Sequence, residues 1–476
     1  MRPLNLARPA FVPHGRAAPP SVHRPRREGM SAEAGRSRRA ARVAGCAVLL
    51  AVALTAGSVA VGNLKGDDAR GGAVAAGPGV VPARLVTGAD LKAGVSALQA
   101  HLKTQPKDFT AWAALGLAYV EQARTEGDPG RYPQAQRALD RSLELRPDND
   151  QALAGHAALA AARHDFTGAL RYADRALARN PYSERALASR VDALVELGRY
   201  GDASRAADTA DDRRPGIPVF TRYAYVRELR GDTGTARRVL EQALGSAASP
   251  GDIAYVATAL GQLAFGRGDH DAALRHYARA LAADDTYLPA LEGRARAQAA
   301  SGDRAAAVAG LERVVARAPL PGPLVALGEL YEAGGDREQA REQYVLVEAW
   351  TALARAGGVN ADLDTALAAA DHGDAKAALR AARAEWERRR TVHTADALGW
   401  ALYRNGRPQE ALRFARRATA TGYRDATFLY HRGMIERATG HPRQARTSLT
   451  AALSLNPGFS PLGAPEARKA LKELPR

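Results

Sequence analysis

The chain has 476 residues, 46% of them apolar and 6% aromatic, with a formal charge of +16 and one cysteine. That length is too great for one compact core, so the chain is either several domains or an array whose core grows by stacking. The single Cys46 excludes an intrachain disulfide, a cysteine-based zinc site and a CxxC redox pair.

The charge is localised. Residues 1–42 hold ten Arg against two acids, residues 378–446 hold fifteen Arg against six acids, and the remainder is close to neutral. Residues 1–42 are rich in Pro and Arg without periodicity, and are expected to be disordered. Met30 follows Arg-Arg-Glu-Gly, whose codons can spell a ribosome-binding tract, and is an alternative start. From there the pattern is that of an export signal: Arg36, Arg38, Arg39 and Arg42 precede an uncharged run over 43–64. The run is long enough for a spanning helix, which needs about 20 residues, while Ser58-Val59-Ala60 offers a small-residue cleavage site. The expectation is a single-pass anchor, with secretion after cleavage as the alternative. In either case the basic upstream flank stays in the cytoplasm and the rest lies outside. Val43-Ala44-Gly45-Cys46 imitates a lipoprotein box, but its apolar stretch follows the cysteine, so lipidation is not expected. Residues 65–88 read as a flexible linker rich in Gly, Ala and Val, and residues 89–108 as a capping helix.

Over 109–457 one grammar recurs. Its clearest statement is Trp112, Leu115-Gly116 and Tyr119, then Tyr132 and Ala135, closed by Pro147. Small residues sit where two helices cross closely, large ones fill the space beside them, and the proline ends the unit. Gly-Asp or Gly-Arg turns repeat at 198, 231, 268, 302, 335, 373 and 406. The alanines that open each second helix stand at 135, 169, 203, 236, 273, 307, 340, 378, 411 and 445, a spacing of 33 or 34 with two longer steps. The longer steps fall near Ser249-Pro250-Gly251 and near Ala356-Gly357-Gly358. Residues 458–476 are expected to form a polar-faced C-terminal cap.

This pattern resembles the tetratricopeptide repeat, a pair of antiparallel helices about every 34 residues. The resemblance implies an all-α fold: a right-handed superhelical solenoid of about ten repeats, with first helices on the concave side and second helices outward. It also implies a scaffold or adaptor that holds a peptide or protein partner in the groove. The groove-facing positions of the first helices are Tyr225, Tyr255, Arg296, His393, Asp396, Trp400, Tyr430 and Met434, with the last repeats richest in aromatic and Met contacts. The other reading of Trp400 is that it packs against an adjacent helix. First helices of repeats one to three offer Ala113, Leu117, Ala154 and Ala158 where a carboxylate clamp would need Asn, Lys or Arg, so a chaperone-tail role is not expected.

The basic block at 378–446 is either a solvated convex face or a patch for anionic lipid, an envelope polyanion or an acidic partner. No HExxH, GxSxG, P-loop or strand-bound GxGxxG motif occurs, and no cofactor is expected. Asp371-His372-Gly373 reads as an inter-helix turn rather than a catalytic pair. The alternative function is a cytoplasmic regulator that binds nucleic acid or a regulatory partner through the basic C-terminal face. Its charge is divided between two blocks, one of them in the export segment, so nucleic acid is the lesser candidate.

Overall fold

A computed structural model describes residues 91–126, 129–356, 360 and 362–475. The expectations for the basic segment 1–42, the apolar run 43–64 and the linker 65–88 lie outside the described residues. Among those described there are twenty-two α-helices and no strand. No helix among them is long and apolar enough to cross a membrane.

α1 (Leu91–Thr104) precedes ten helix pairs. These are α2 (Phe109–Glu126) with α3 (Tyr132–Leu145), α4 (Asp150–Ala162) with α5 (Phe166–Arg179), and α6 (Glu184–Glu196) with α7 (Tyr200–Arg213). α8 (Ile217–Leu229) and α9 (Thr233–Ser246) follow, then α10 (Pro250–Gly266) and α11 (His270–Ala283), and α12 (Leu288–Ala300) and α13 (Arg304–Arg317). The last pairs are α14 (Pro321–Ala333) and α15 (Arg337–Ala356), α16 (Asp362–His372) and α17 (Ala375–Arg388), α18 (Val392–Arg404) and α19 (Pro408–Ala418), and α20 (Ala426–Ala438) and α21 (Pro442–Leu455). α22 (Gly463–Glu473) closes the array. The result is an all-α solenoid.

Local chemistry explains the regularity. At the turn between the helices of a pair, Gly231, Gly268, Gly302 and Gly335 take positive φ. The next residue, Asp232, Asp269, Asp303 or Asp336, accepts a backbone N–H of the second helix at 3.0–3.1 Å. The glycine ends one helix at no steric cost and the aspartate caps the next. Within several pairs the helices cross on a missing side chain: a Cβ at Gly116 would stand 2.5 Å from Leu139, and one at Gly328 2.4 Å from Tyr344. First helices are pressed from both sides by their neighbours, so that α4 buries the unbroken run Ala152–Ala157. Second helices bury one stripe and leave the other face to solvent, as α19 does with Ala411, Leu412, Phe414, Ala415 and Ala418 inward. α15 runs for twenty residues, and its Trp350 and Ala354 join the core built by α1 and α2.

The solenoid also closes on itself. Turns of repeats two to five lie directly against the inter-repeat loops almost 200 residues later. His164 Nδ1 donates to the Asn360 carbonyl at 2.6 Å. The Val392 N–H donates to the Tyr200 hydroxyl at 2.9 Å. His270 Nε2 donates to Asn456 Oδ1 at 2.9 Å, and Asn456 Nδ2 donates to the Phe265 carbonyl at 2.8 Å. Arg389 reaches across to Glu196 while also holding Glu385 and lying over the Phe166 ring, 5.1 Å from its centre. Val191, Leu194, Val195 and Leu229 share one apolar cluster with Val392, Ala395, Ala418 and Phe428. Successive superhelical turns therefore meet along a seam, edge on edge. At one seam position the rule of the turn glycine is broken: His164 has φ 59. An L side chain there costs roughly 1–2 kcal/mol, and the bond to Asn360 is what the histidine makes in that conformation.

Candidate functional site

First helices meet side by side, and the large rings expected to face a groove fill the joints between them. Trp400 on α18 is buried; its Nε1 donates to Asp371 on α16 at 2.8 Å, and its ring stacks on His431 of α20 at 4.0 Å. Tyr430 is buried, donates to Glu466 of α22 at 2.6 Å and lies 5.5 Å from the Phe459 ring. Asp396 is buried and accepts from His431 Nδ1 at 2.9 Å, and Met434 is buried in the same core. These four were expected to contact a ligand; the structure places them in the core instead. The register is one flank off: their positions look along the array toward the next first helix.

The remaining expected residues are dispersed. His393 is half-buried between the rings of Tyr423 and Phe428, with centroids 5.7 and 5.4 Å away, and burial together with Arg389 pushes its imidazole down to about 4. Tyr225 sits half-buried at the seam, where burial and then the carboxylates of Glu196 and Glu228 drive its phenol well above the usual range. The Tyr255 hydroxyl donates to Thr221 Oγ1 at 3.3 Å. Only Arg296 keeps an accessible side chain, 42% exposed. Its Nε donates to Glu292 at 2.9 Å and its Nη2 to the Gly322 carbonyl at 3.2 Å, which fixes the guanidinium between α12 and α14.

Arg296 opens into a cavity of about 240 Å³. Its walls come from α12, α14, the end of α10 and the segment 457–468, and include Phe265, Glu329, Leu330, Phe459 and Arg468 beside Arg296. Both signs of charge and two aromatic rings face one space on the side of the first helices. Phe265, Phe459 and Arg468 were not expected here. They come together only because the seam folds the C-terminal segment against repeats five and six, where Gly458 approaches Ala300. A second cavity of about 260 Å³ opens between α5 and α7. Its charges satisfy one another, Arg190 with Asp174 at 2.8 Å and Arg199 with Asp202 at 2.6 Å, so it offers a ligand little. No cluster of His, Cys, Asp and Glu among the described residues could hold a metal ion. His372 ends α16, stacked on Tyr344 at 4.0 Å with the carboxylates of Glu329 and Glu332 each 3.5 Å from its ring.

The joint at Asp396 carries a measurable signature. Burial lowers the His431 imidazole, but the adjacent Asp396 carboxylate outweighs it, and the net shift from 6.5 is upward. A raised histidine contributes stability that is present below about pH 6.5 and lost as pH rises through the higher folded value. Urea midpoints between about pH 5 and about 9 are expected to fall across that window, and Asp396→Asn is expected to remove that fall. An unchanged pH profile in Asp396→Asn would show that the pair is not charged.

A sequence profile of the tetratricopeptide repeat matches residues 120–184, 224–287 and 397–458. No curated protein matches the chain. Among solved structures, the Cut9–Hcn1 hetero-tetramer of APC/C aligns at 14% identity over 81% of this chain and 82% of that one, with a TM-score of 0.39. TTC0263, a thermophilic tetratricopeptide repeat protein of Thermus thermophilus, aligns at 26% identity over 35% and 91%, with a TM-score of 0.33. The human IFIT1 dimer with PPP-AAAA aligns at 15% identity over 77% and 87%, with a TM-score of 0.45. These matches, in the early, middle and late parts of the array, show that the chain carries tetratricopeptide repeats.

Proposed function

We propose that the chain is an adaptor that holds an extended segment of a protein partner in the cavity beside Arg296 and Glu329. Tetratricopeptide repeats are in general scaffolds for protein–protein interaction, and the observation that carries this more specific reading is Arg296 itself. It is fixed by two acceptors on adjacent first helices yet remains 42% exposed toward Glu329, Phe265 and Phe459. A pre-set guanidinium can take a backbone carbonyl or a carboxylate with little loss of side-chain freedom. The rings beside it give an apolar side chain a place to dock. We further propose that the array stands on the outer side of the cell membrane, tethered through residues 43–64 or released by cleavage after residue 60. The basic flank and the uncharged run support that reading.

A photo-crosslinking residue at Ala299, in the cavity wall, tests the binding site against a control at Arg237, which is exposed on α9. The expected result in native cells is an adduct from position 299, absent from position 237, and lost when Arg296→Glu is added. The same adduct from both positions, or none from 299, would remove the cavity from the mechanism.

A further inference from the structure

We propose that the outer face of α17 and α19 is a docking surface for a membrane rich in anionic phospholipid. Arg383, Arg413, Arg416 and Arg417 are exposed there, and none has a carboxylate within ion-pair reach among the described residues. Nearby, Arg380 is only loosely matched by Asp374 at 3.8 Å, and Arg390 by Glu387 at 4.0 Å, with all four side chains well exposed. Some outer-face arginines elsewhere are matched, Arg141 lying 2.9 Å from Glu144 and Arg199 and Arg205 holding Asp202, while Arg171 and Arg175 over Tyr172 on α5 form a smaller patch of the same kind.

The cations are also organised. Trp386 of α17 meets Phe414 of α19 edge to face at 5.2 Å. Arg417 and Arg390 both lie over the Trp386 ring, 4.9 and 5.8 Å from its centre, and Arg413 lies over Phe414 at 4.7 Å. Guanidinium groups held against rings keep their donor forks available for phosphate oxygens and lose less freedom when they bind. The patch spreads over two neighbouring helices on the convex side, so it suits an extended anionic surface better than a single small anion. It also lies away from the first-helix cavity, so both can be occupied together.

The choice of a membrane rests on the anchor reading above. With 43–64 in the bilayer, the short stretch 65–90 would tether the array beside the headgroups. A surface patch that is weak in solution would then bind at high effective concentration.

The full chain is reconstituted into nanodiscs of phosphatidylcholine alone or with phosphatidylglycerol added, and backbone hydrogen exchange is followed. Exchange across 375–388 and 408–418 is expected to slow about tenfold in the anionic discs only. The effect should vanish at high salt and in the variant Arg413→Glu/Arg416→Glu/Arg417→Glu. Unchanged exchange across 132–179 in that variant would establish that it folds. Equal exchange in both discs overturns the proposal. So does protection produced only by RNA or polyphosphate added to neutral discs, which would assign the face to another class of partner. If the chain fails to enter neutral discs, the anchor reading falls by itself. The soluble chain is then sedimented with phosphatidylglycerol vesicles, and its absence from the pellet overturns the docking surface as well.

Discussion

Arg389→Met is expected to lower the unfolding free energy by about 3 kcal/mol, because breaking a buried ion pair costs roughly 3–5 kcal/mol and Glu196 keeps some access to water. Arg389, just past the end of α17, is 8% exposed and binds Glu385 of that helix and Glu196 on the other side of the seam. Glu385 retains Arg388 at 2.5 Å, so the loss falls chiefly on Glu196. Adding Glu196→Gln should recover part of the loss, since the uncompensated charge is what makes the single variant costly. Urea unfolding at unchanged slope is the measurement. A loss under about 0.5 kcal/mol would class the bridge with ordinary surface pairs.

Gly198→Ala and Gly406→Ala form a matched pair that isolates the seam. Their backbones are nearly identical, with φ of 71 and 70. The left-handed conformation alone should cost each variant about 1 kcal/mol. The surroundings differ: a Cβ at 198 would stand 2.5 Å from the Arg390 carbonyl oxygen, whereas a Cβ at 406 meets nothing within 4 Å. Backbone has to move at 198, so its total is expected near 3 kcal/mol, the excess being of the size that overpacking produces. Small-angle scattering should show Gly198→Ala expanded and Gly406→Ala unchanged. Equal costs and equal radii would mean that the turns touch without supporting one another.

The repeats were legible because each one spells its own geometry. The Gly-Asp turns and the alanines at 34-residue intervals act within a few residues of themselves, so local physics suffices to place twenty helices. The seam has no such signal. His164 and Asn360, or His270 and Asn456, are almost 200 residues apart, and nothing in either loop names its partner. The ligand-facing residues failed for a geometrical reason. An open superhelix leaves inner positions of the first helices to solvent, but Trp400 and Tyr430 are large enough to bridge neighbouring first helices, which is where they found Asp371, His431 and Glu466. Arg296, at the same kind of position, keeps the head of its long charged side chain in water.

The seam also bears on how such a chain can evolve. An open array gains or loses a unit at modest cost, since each unit answers only to its neighbours. Here the turn at 164 must arrive opposite 360, the one at 198 opposite 390, and the one at 231 opposite 422. Deleting one unit between them would rotate every later loop past its partner and unmake all these matches together. The number of repeats is thereby fixed like the thread count of a screw cut for one nut, and drift is confined to side chains and to the two ends.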